Sequence, residues 1–323
     1  MSERRAQIAA DIEAAYRWIL GRPVDPGGLD DYAVKIETGV LDLPTLRLAL
    51  LGSEEFTQTT SQTLALADVS EGMKVVFDPA DPDFGRHLAA GSGWEPHIAN
   101  AIKARLEPGS TFVDIGANIG VMSFPAAARI GPPGKVIAFE PNPQNAALFR
   151  RGIAANGLDN VRLFTFGLSD HAHMISLSSA SNAKVMGEAK ALQDMEVVQA
   201  IAGDEILLKE ERIDLIKIDV EGFEQRVLQG LSGTIAAFGP KILCEFNPLC
   251  LRAQGGIEPE TLADHLFSLA PRGELVEQDG SFTPVASTGE LMAIWARRDA
   301  ESTQKGLLPQ GWVHFDILLD AAR

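Results

Sequence analysis

The sequence predicts an α/β protein, with a mostly parallel sheet covered by helices and a small all-α domain before it. From about residue 94, short apolar runs alternate with helix-like stretches, which is the pattern of a parallel sheet. The first of these runs, residues 111–115, leads directly into a glycine-rich loop. Before residue 65, apolar residues instead recur at helical spacing, as at Ile8, Ile12 and Ile19.

The sheet domain is predicted from apolar runs at 111–115, 136–139, 161–166, 215–218 and 242–246. Helices are expected between these strands, for example over 143–155 and 222–231. After residue 270, the segments 274–278 and 291–297 are expected to pair as a terminal antiparallel hairpin. In such a sheet the fourth strand lies beside the first, so the residues that follow these two strands should face one crevice.

The chain divides into a helical module at 1–65, a linker at 66–93 and the sheet domain at 94–323. In the module, the first helix is expected to end at Gly21, and further helices are expected to begin near Leu29, Pro44 and Ser53. The linker is rich in Asp and Pro at 78–83, and its one short strand is expected at 73–77.

The composition restricts the partners of the protein. Its 323 residues carry a net charge of −16, which argues against a nucleic-acid backbone or an anionic membrane as the main partner and permits a cationic cofactor. We expect no secretory leader and no membrane span, and therefore a cytoplasmic protein. Cys244 and Cys250 lie in or near an apolar run, so we expect buried thiols and no metal site.

The glycine-rich loop has the form Asp114-x-Gly116-x-Asn118-x-Gly120. Its glycines let the backbone approach a ligand at the carboxyl end of the first strand, where open α/β sheets bind their ligands. The next strand ends at Glu140, whose carboxylate can accept hydrogen bonds from both hydroxyls of a ribose. A carboxylate at Asp114 would repel a diphosphate, but it suits the amino-acid end or the sulfonium of S-adenosylmethionine (SAM). The loop therefore predicts SAM as the cofactor.

A second group of polar residues follows the fourth and fifth predicted strands. Asp219 and Glu221 come directly after 215–218, and in an extended strand end both would point to one side. Two carboxylates there could orient a substrate hydroxyl and take its proton, or help to hold a divalent cation. Glu221 could instead cap the following helix. Glu245 and Asn247 close the fifth strand and are candidates for contacts with the substrate.

Three strings resemble the FkbM family of methyltransferases over about residues 94–250: FVDIGANIG, GKVIAFEPNP and DLIKIDVEGFEQRVLQG. The resemblance implies a Rossmann-like, seven-stranded SAM-methyltransferase fold and, chiefly, O-methylation of sugars or natural-product hydroxyls. It implies that the cofactor is bound by Glu95, Asp114, Gly116, Asn118, Gly120, Glu140, Pro141, Asn142, Gly167, Leu168, Ser169 and Asp219. Asp204 matches the family's usual Asp before the fourth strand.

Residues 11–57 resemble the DUF4214 module, a small helical domain. The resemblance rests on the strings YRWILGRP at 16–23, DPGGL at 25–29 and SEEF at 53–56. It implies a docking or spacer role, with a surface for a protein partner or for self-association. The tandem of the two modules has precedent in bacterial proteins.

Together these features predict an in-line methyl transfer from SAM to a hydroxyl of a small-molecule or carbohydrate acceptor, such as a sugar, a glycan or a natural product. Asp219 or Glu221 would align or deprotonate that hydroxyl. His87 and His97 are other candidate bases, and His97 is also a candidate for contact with the substrate.

Two further histidines are candidates for the site, and two other functions remain open. His171 and His173 could reach the adenine side of the site, although their spacing alone does not make a metal site. The protein could also be a scaffold that binds SAM or a nucleoside without catalysis. A third interpretation is an NAD-dependent oxidoreductase, because dinucleotide folds share the glycine-rich loop and the acidic partner.

Overall fold

The computed structural model describes residues 3–20, 22–51, 53–55, 64–82, 84–91, 93–178, 185–188 and 195–321. The chain divides into two compact units, Met1–Leu64 and Ala65–Arg323. The helix end predicted at Gly21 and the Phe56 of the DUF4214-like strings lie outside the described residues. Within the described ranges, no helix combines the length and the apolar character needed to cross a membrane.

The described residues of the first unit include the helices α1 (Glu3–Leu20), α2 (Pro26–Glu37) and α3 (Leu43–Leu51). Apolar side chains from all three helices are buried together, including Ile12, Ala33 and Leu46. Asp25 begins α2, because its carboxylate accepts a hydrogen bond from the Gly28 amide at 2.8 Å. The Asp-Pro-Gly-Gly string is therefore the start signal of a helix.

Arg22 connects two of the three DUF4214-like strings. Its guanidinium pairs with the carboxylate of Glu55, and the guanidinium carbon lies 5.3 Å from the centroid of the Tyr16 ring. Ion pairing and the cation–π contact thus hold the chain after α1 against the segment that follows α3.

The segment expected as a linker, 66–93, folds as part of the second unit. Its elements are the strands β1 (Ala65–Asp68) and β2 (Lys74–Phe77), which form an antiparallel hairpin, and the short helix α4 (Gly85–Ala89). Asn156 ties the hairpin to the domain, since its side chain accepts from the Lys74 amide at 2.8 Å and donates to the Lys74 carbonyl at 2.6 Å. Val75 and Phe77 are buried in one core with Phe124. The Asp and Pro run therefore marks the turns after the hairpin.

The remaining strands are β3 (Thr111–Ile115), β4 (Lys135–Phe139), β5 (Val161–Phe164), β6 (Gly167–Ser169), β7 (His173–Ser178), β8 (Val185–Glu188), β9 (Met195–Ala202), β10 (Leu215–Ile218), β11 (Lys241–Phe246), β12 (Gly273–Val276), β13 (Phe282–Val285) and β14 (Phe315–Asp320). The remaining helices are α5 (Pro96–Ala104), α6 (Ser123–Ile130), α7 (Pro143–Asn156), α8 (Asp204–Leu207), α9 (Glu224–Gly230), α10 (Ser232–Phe238), α11 (Pro248–Ala253), α12 (Pro259–Leu269) and α13 (Thr288–Gln304).

The large sheet of the second unit has the strand order β13-β12-β14-β11-β10-β3-β4-β5 in the described part of the chain. Strands β5, β4, β3, β10 and β11 are parallel, and β14 lies antiparallel between β11 and β12. The predicted pairing of the fourth strand with the first is confirmed as β10 beside β3. The order β5 to β12 supplies the seven strands of the predicted Rossmann-like fold, and β13 extends the edge.

Helices cover both faces of this sheet. The adjacent residues Phe112 and Val113 of β3 enter different cores, Phe112 beside Ile102 of α5 and Val113 beside Val227 of α9. Because both faces are buried, the parallel strands read as continuous apolar runs in the sequence. The chain order reverses around β3, whose neighbours are β4 and β10, and this arrangement opens a crevice at the carboxyl ends of the strands.

The predicted terminal hairpin is wrong in its second strand. β12 pairs with β13, whereas 291–297 lies inside the helix α13. Ser287 begins this helix by accepting a hydrogen bond from the Glu290 amide at 3.2 Å, and Glu290 reaches back to the Ala286 amide at 2.8 Å. Ser-x-x-Glu is a helix-start signal, and it identifies α13 better than the apolar residues that follow it.

Asp204 has a structural role away from the crevice. Its carboxylate accepts hydrogen bonds from the Gly233 amide at 2.8 Å, the Thr234 amide at 2.7 Å and the Thr234 hydroxyl at 2.6 Å. These bonds satisfy the first amides of α10 and join that helix to α8.

Replacing this carboxylate should therefore lower stability without touching the crevice. We expect Asp204→Ala to reduce the free energy of unfolding by about 2 kcal/mol, because it leaves buried donors without partners. Urea denaturation followed by circular dichroism measures this change. The neighbouring exposed residue supplies the control, Glu205→Ala, which should be neutral. Equal losses in both variants would contradict the assignment.

Candidate active site

A cavity of about 590 Å³ lies at the carboxyl ends of β3, β4 and β10. Most of the residues predicted for the site line it: Glu95, Asp114, Gly116, Asn118, Glu140, Pro141, Gly167, Leu168, Asp219, Glu221, Glu245 and Asn247, together with His87. The residues that follow separate strands thus meet at one cavity, as the topology of the sheet requires.

Four predicted residues are not among those that line the cavity, namely Gly120, Asn142, Ser169 and His97. His97 is buried in α5, and burial lowers its pKa. Asn142 begins α7 by accepting a hydrogen bond from the Gln144 amide at 2.9 Å. Ser169 is buried and donates to the Asp170 carboxylate at 2.9 Å. These polar side chains are used by the fold itself.

Gly116 permits the loops after β3 and β10 to touch. Its φ is +79°, and a Cβ at this position would lie 1.8 Å from the carbonyl oxygen of Asp219. Gly120 has a φ of +96°, and a Cβ there would lie 2.4 Å from the ring of Phe124. Gly116 therefore brings two acidic loops together, whereas Gly120 makes room for an aromatic core residue.

Lys217 lies between two acidic residues of the site. Its ammonium donates to Oδ2 of Asp219 at 3.0 Å and lies 3.7 Å from Oδ1 of Asp114. The Lys217 side chain is 4% exposed, and the Asp219 side chain is 33% exposed. Burial by itself would lower the pKa of Lys217, but Asp219 and Asp114 outweigh it and raise this pKa. The lysine is thus charged, and Asp219 is the partner that faces the cavity.

Asp114 is fully buried at the start of the glycine-rich loop. Its Oδ2 accepts a hydrogen bond from the Ser123 hydroxyl at 2.6 Å. Burial raises the pKa of Asp114, although Lys217 and the Ser123 hydroxyl oppose that shift. The cation of Lys217 is therefore what favours a carboxylate at this depth.

Backbone amides donate hydrogen bonds to both carboxyl oxygens of Glu140. Oε2 accepts from the Asn118 amide at 2.8 Å, and Oε1 accepts from the Asn142 amide at 2.7 Å. Asn118 reaches this position with a φ of +50°, in the left-handed region. Burial raises the pKa of Glu140 to about 7, while the two amides act against the shift. The carboxyl is therefore fixed in orientation beside the glycine-rich loop.

The backbone at Glu221 has a different conformation from the one predicted. β10 ends at Ile218, and Glu221 has a φ of +54°, so the segment is a turn and not an extended strand end. The thiol of Cys250 donates to Oε2 of Glu221 at 3.1 Å. The turn is held instead by Glu224, which accepts from the Val220 amide at 3.1 Å and the Gly222 amide at 3.0 Å.

Carboxyl groups with raised pKa values surround Asp219. Burial, followed by Asp219, raises the pKa of Glu95 to about 7, and burial raises that of Glu224 to about 7. Burial and Asp219 also raise the pKa of Glu245 well above its usual value. Asp316, the cross-strand partner of Glu245, has a pKa raised to about 7 by burial and by Glu95. The side of the site near β10, β11 and β14 is therefore crowded with carboxyl groups.

Aromatic residues form another part of the cavity wall. The Trp94 ring contacts Phe84 and His87 edge-on, with centroid distances of 5.3 and 5.6 Å. Trp312 and His314 come from the segment before β14 and also line the cavity. Indole rings can pack against the apolar face of a ligand while their edges remain polar.

Among the cavity residues that were not predicted, Lys217 could have been found from the sequence, whereas Trp312 and His314 could not. Lys217 is a lysine inside an apolar strand, and that position alone could have indicated a buried ion pair. Trp312 and His314 follow a long helix and belong to no motif, so only the insertion of β14 into the sheet places them at the cavity.

Asp170, His171 and His173 form a separate group. One ligand atom from each lies within 4.8 Å of the others, and the His171 and His173 rings stack with centroids 4.4 Å apart. Arg226 lies 3.7 Å from the Asp170 carboxylate, and its charge opposes a cation there. This group is not among the residues that line the cavity. Cys244 and Cys250 are buried thiols, as predicted.

Residues 114–267, slightly less than half of the chain, match the family model described as the methyltransferase FkbM domain. The FkbM resemblance drawn from the sequence is thereby confirmed for this segment. The DUF4214-like resemblance of the first unit stays a prediction.

Two curated proteins are similar to the chain. "Methyltransferase 1" of Beauveria bassiana is 28% identical over 148 residues, which cover 38% of this chain and 58% of that protein. "Hexuronic acid methyltransferase AglP" of Haloferax volcanii is 24% identical over 169 residues, which cover 51% of this chain and 65% of that protein. The matched region thus spans less than two thirds of either relative.

Two solved structures are similar in fold. The methyltransferase FkbM of Methylobacillus flagellatus KT has a TM-score of 0.40 and 16% identity, over 86% of this chain and 59% of that chain. TYW2 of M. jannaschii, solved in complex with AdoMet, has a TM-score of 0.43 and 13% identity, over 81% of this chain and 86% of that chain. The predicted fold class agrees with the strand order of the large sheet, and the predicted cofactor, SAM, is consistent with the match to a methyltransferase domain.

The raised pKa values predict how stability depends on pH. A glutamate with a pKa of 4.5 when unfolded and about 7 when folded binds more protons in the folded state between these values. Its contribution to stability is full below about pH 4.5 and is lost as the pH rises through about 7. Glu95, Glu140 and Glu224 all act in this sense.

We therefore expect Glu224→Gln to flatten the fall in unfolding free energy between about pH 5 and about pH 7.5. Urea denaturation across this range measures the slope. Burial lowers the pKa of His97 and His265, which act in the opposite sense, so the slopes of variant and parent must be compared. The exposed control Glu205→Gln should keep the parent slope. An unchanged slope in Glu224→Gln would refute the assignment.

Proposed function

We propose that this protein is a SAM-dependent methyltransferase that acts on a hydroxyl of a sugar, glycan or natural-product acceptor. The observation that carries the proposal is the meeting of three acidic strand ends, at Asp114, Glu140 and Asp219, around one cavity. The family match at 114–267 and the two methyltransferase relatives support the reaction class. The name of one relative, a hexuronic acid methyltransferase, supports a carbohydrate acceptor.

The nucleoside half of SAM fits the side of the cavity formed by β4. Two backbone amides and the Asn145 side chain orient the Glu140 carboxyl, which lines the cavity and can accept hydrogen bonds from the ribose. Pro141 and Leu168 line the same cavity and offer apolar surface for the adenine ring. We assign the ribose to Glu140 on this basis.

The methionine half of SAM fits the loop after β3. Asp114 is buried and carries a carboxylate oxygen, Oδ1, that accepts no hydrogen bond within the described residues. An ammonium group is a suitable donor to it, and the same carboxylate attracts the sulfonium. Gly116 brings Asp219 next to this loop, which would place the transferable methyl group near the acidic residues after β10.

The acceptor hydroxyl would lie on the β10 and β11 side of the cavity. SAM supplies an already activated methyl group, so the protein has to align the hydroxyl in line with the sulfur and receive its proton. We assign the proton to Asp219, because its side chain is one third exposed at the cavity and the Lys217 ammonium holds it in place at 3.0 Å. Glu221 lines the cavity beyond Asp219 and is the second candidate base.

Calorimetry with three ligands tests the cofactor. We expect SAM and S-adenosylhomocysteine to bind and NAD not to bind, because Asp114 repels a diphosphate. Glu140→Ala should weaken SAM about 100-fold, through the loss of two hydrogen bonds to a charged group at about 1.5 kcal/mol each. The exposed control Glu107→Gln should bind like the parent protein. Binding of NAD without SAM would make the chain an oxidoreductase candidate instead.

Asp219→Asn tests the catalytic assignment. We expect kcat for methyl transfer to fall by about 100-fold or more, because the general base is lost, while S-adenosylhomocysteine still binds. The assay follows label from methyl-labelled SAM into an acceptor fraction of a cell extract. Glu221→Gln is the matched comparison and should retain more activity than Asp219→Asn. Parallel loss of binding and turnover would make Asp219 a cofactor residue, and SAM binding without any transfer would favour a non-catalytic scaffold.

The first unit is proposed as a docking module at 1–65. The described residues that line the cavity all lie beyond residue 83, in the second unit. A role in binding a protein partner or in self-association is therefore separable from methyl transfer.

A further inference from the structure

We propose that the acceptor carries no negative charge where it binds, and that it is a neutral or amino-bearing sugar and not a uronic acid or a phosphate ester. This inference rests on the proposed methyltransferase function and names the acceptor class for the same cavity. Acidic side chains and indole rings line the same cavity, and their presence together carries the proposal.

The order of the strands separates the acceptor part from the cofactor part. Starting from β3, the nucleoside side lies toward β4, and the opposite side lies toward β10, β11 and β14. Glu245 ends β11, and the segment with Trp312 and His314 leads into β14. Neighbouring strands lie about 4.8 Å apart, so β11 is on the order of 14 Å from β4, too far for groups that hold adenosine.

The acceptor part contains an excess of acidic groups. Glu95, Asp219, Glu221 and Glu245 all line the cavity. Among the described residues that line it, Lys217 is the one lysine, and arginine is absent. The Lys217 charge is already shared by Asp114 and Asp219. A carboxylate or phosphate on the acceptor would therefore meet several carboxyl groups, and among the described lining residues the basic side chains other than Lys217 are His87 and His314.

The same carboxyl groups suit a ligand that donates hydrogen bonds. Oε2 of Glu245 is buried and accepts no hydrogen bond in the described structure. Oε1 accepts a hydrogen bond from the side-chain amide of Asn247 at 3.4 Å. A sugar hydroxyl or an ammonium can supply the missing donor. Burial and Asp219 raise the pKa of Glu245, so an additional anion would be opposed and an additional cation favoured.

The aromatic wall favours a ring with an apolar face. Trp94 is held edge-on by Phe84 and His87, which fixes its plane. Trp312 is 53% exposed although it lines the cavity, and Leu308 beside it is 40% exposed. The face of a pyranose that carries C–H groups can cover such indole surface while its hydroxyls reach the carboxylates. Neutral and amino sugars combine both properties without adding negative charge.

Three methyl glycosides that differ in one substituent test the charge rule. The protein is first loaded with S-adenosylhomocysteine and then titrated by calorimetry with methyl glucoside, methyl glucosaminide or methyl glucuronide. We expect the first two to bind at least tenfold more tightly than the glucuronide, on the order of 1.4 kcal/mol. Equal or tighter binding of the glucuronide would overturn the proposal. Failure of S-adenosylhomocysteine to bind would overturn the proposed function, whereas its binding without any of the glycosides would overturn this inference alone.

Two variants locate the origin of the discrimination. Glu245→Gln removes an ionisable carboxyl group, and at a pH where that group is charged in the parent it should improve glucuronide binding relative to glucoside by at least threefold. The exposed control Glu260→Gln should keep the parent ratio. Trp312→Ala should weaken all three glycosides by a similar factor, since it removes the stacking surface and no charge. An unchanged ratio in Glu245→Gln, or an effect of Trp312→Ala on one glycoside only, would contradict the proposed division of roles.

Discussion

The buried cation of Lys217 is the interaction on which the site depends. It lies between the carboxylates of Asp114 and Asp219, which follow different strands, β3 and β10, at the reversal of chain order. Without it, two acidic loops brought together by Gly116 would repel each other inside a poorly solvated crevice. One positive charge thus allows the ends of two strands to present carboxylates to the same cavity.

The surrounding carboxyl groups place this protein in an unusual electrostatic state. Glu95, Glu140, Glu224 and Asp316 have pKa values raised to about 7, chiefly by burial. Such groups cost stability when they are ionised, and proteins keep them mainly where a ligand gives the charge a partner. A cationic cofactor such as SAM would relieve part of this cost at Asp114 and Glu140.

The local parts of the fold and of the site were predictable from the sequence. The strands β3 and β10 were located to the residue, because a doubly buried parallel strand is a continuous apolar run between turn signals. Asp114, Glu140 and Asp219 were found because a charged residue at the end of such a run has no structural need to be there. The helix α13 was missed, because its apolar residues were interpreted as a strand although Ser287 and Glu290 form a helix-start signal.

Long-range features were not predictable in the same way. The side chains of Asn142 and Ser169 are consumed by local hydrogen bonds, which a motif match does not reveal. The cavity positions of Trp312 and His314 depend on which strand neighbours β11, and no local pattern encodes that choice. The sequence therefore identified the β3 and β4 side of the cavity far better than the side near β14.

The insertion of β14 between β11 and β12 has a consequence for how the molecule is assembled. β12 reaches the large sheet through β14, so the hairpin of β12 and β13 cannot join the sheet until residues 315–320 have been synthesised and inserted. The strands that border the Asp114 and Glu140 side precede this step along the chain, and they can pair while the ribosome is still at work. The strands that carry Asp114 and Glu140 can thus pair before the chain that brings Trp312 and His314 to the cavity is complete.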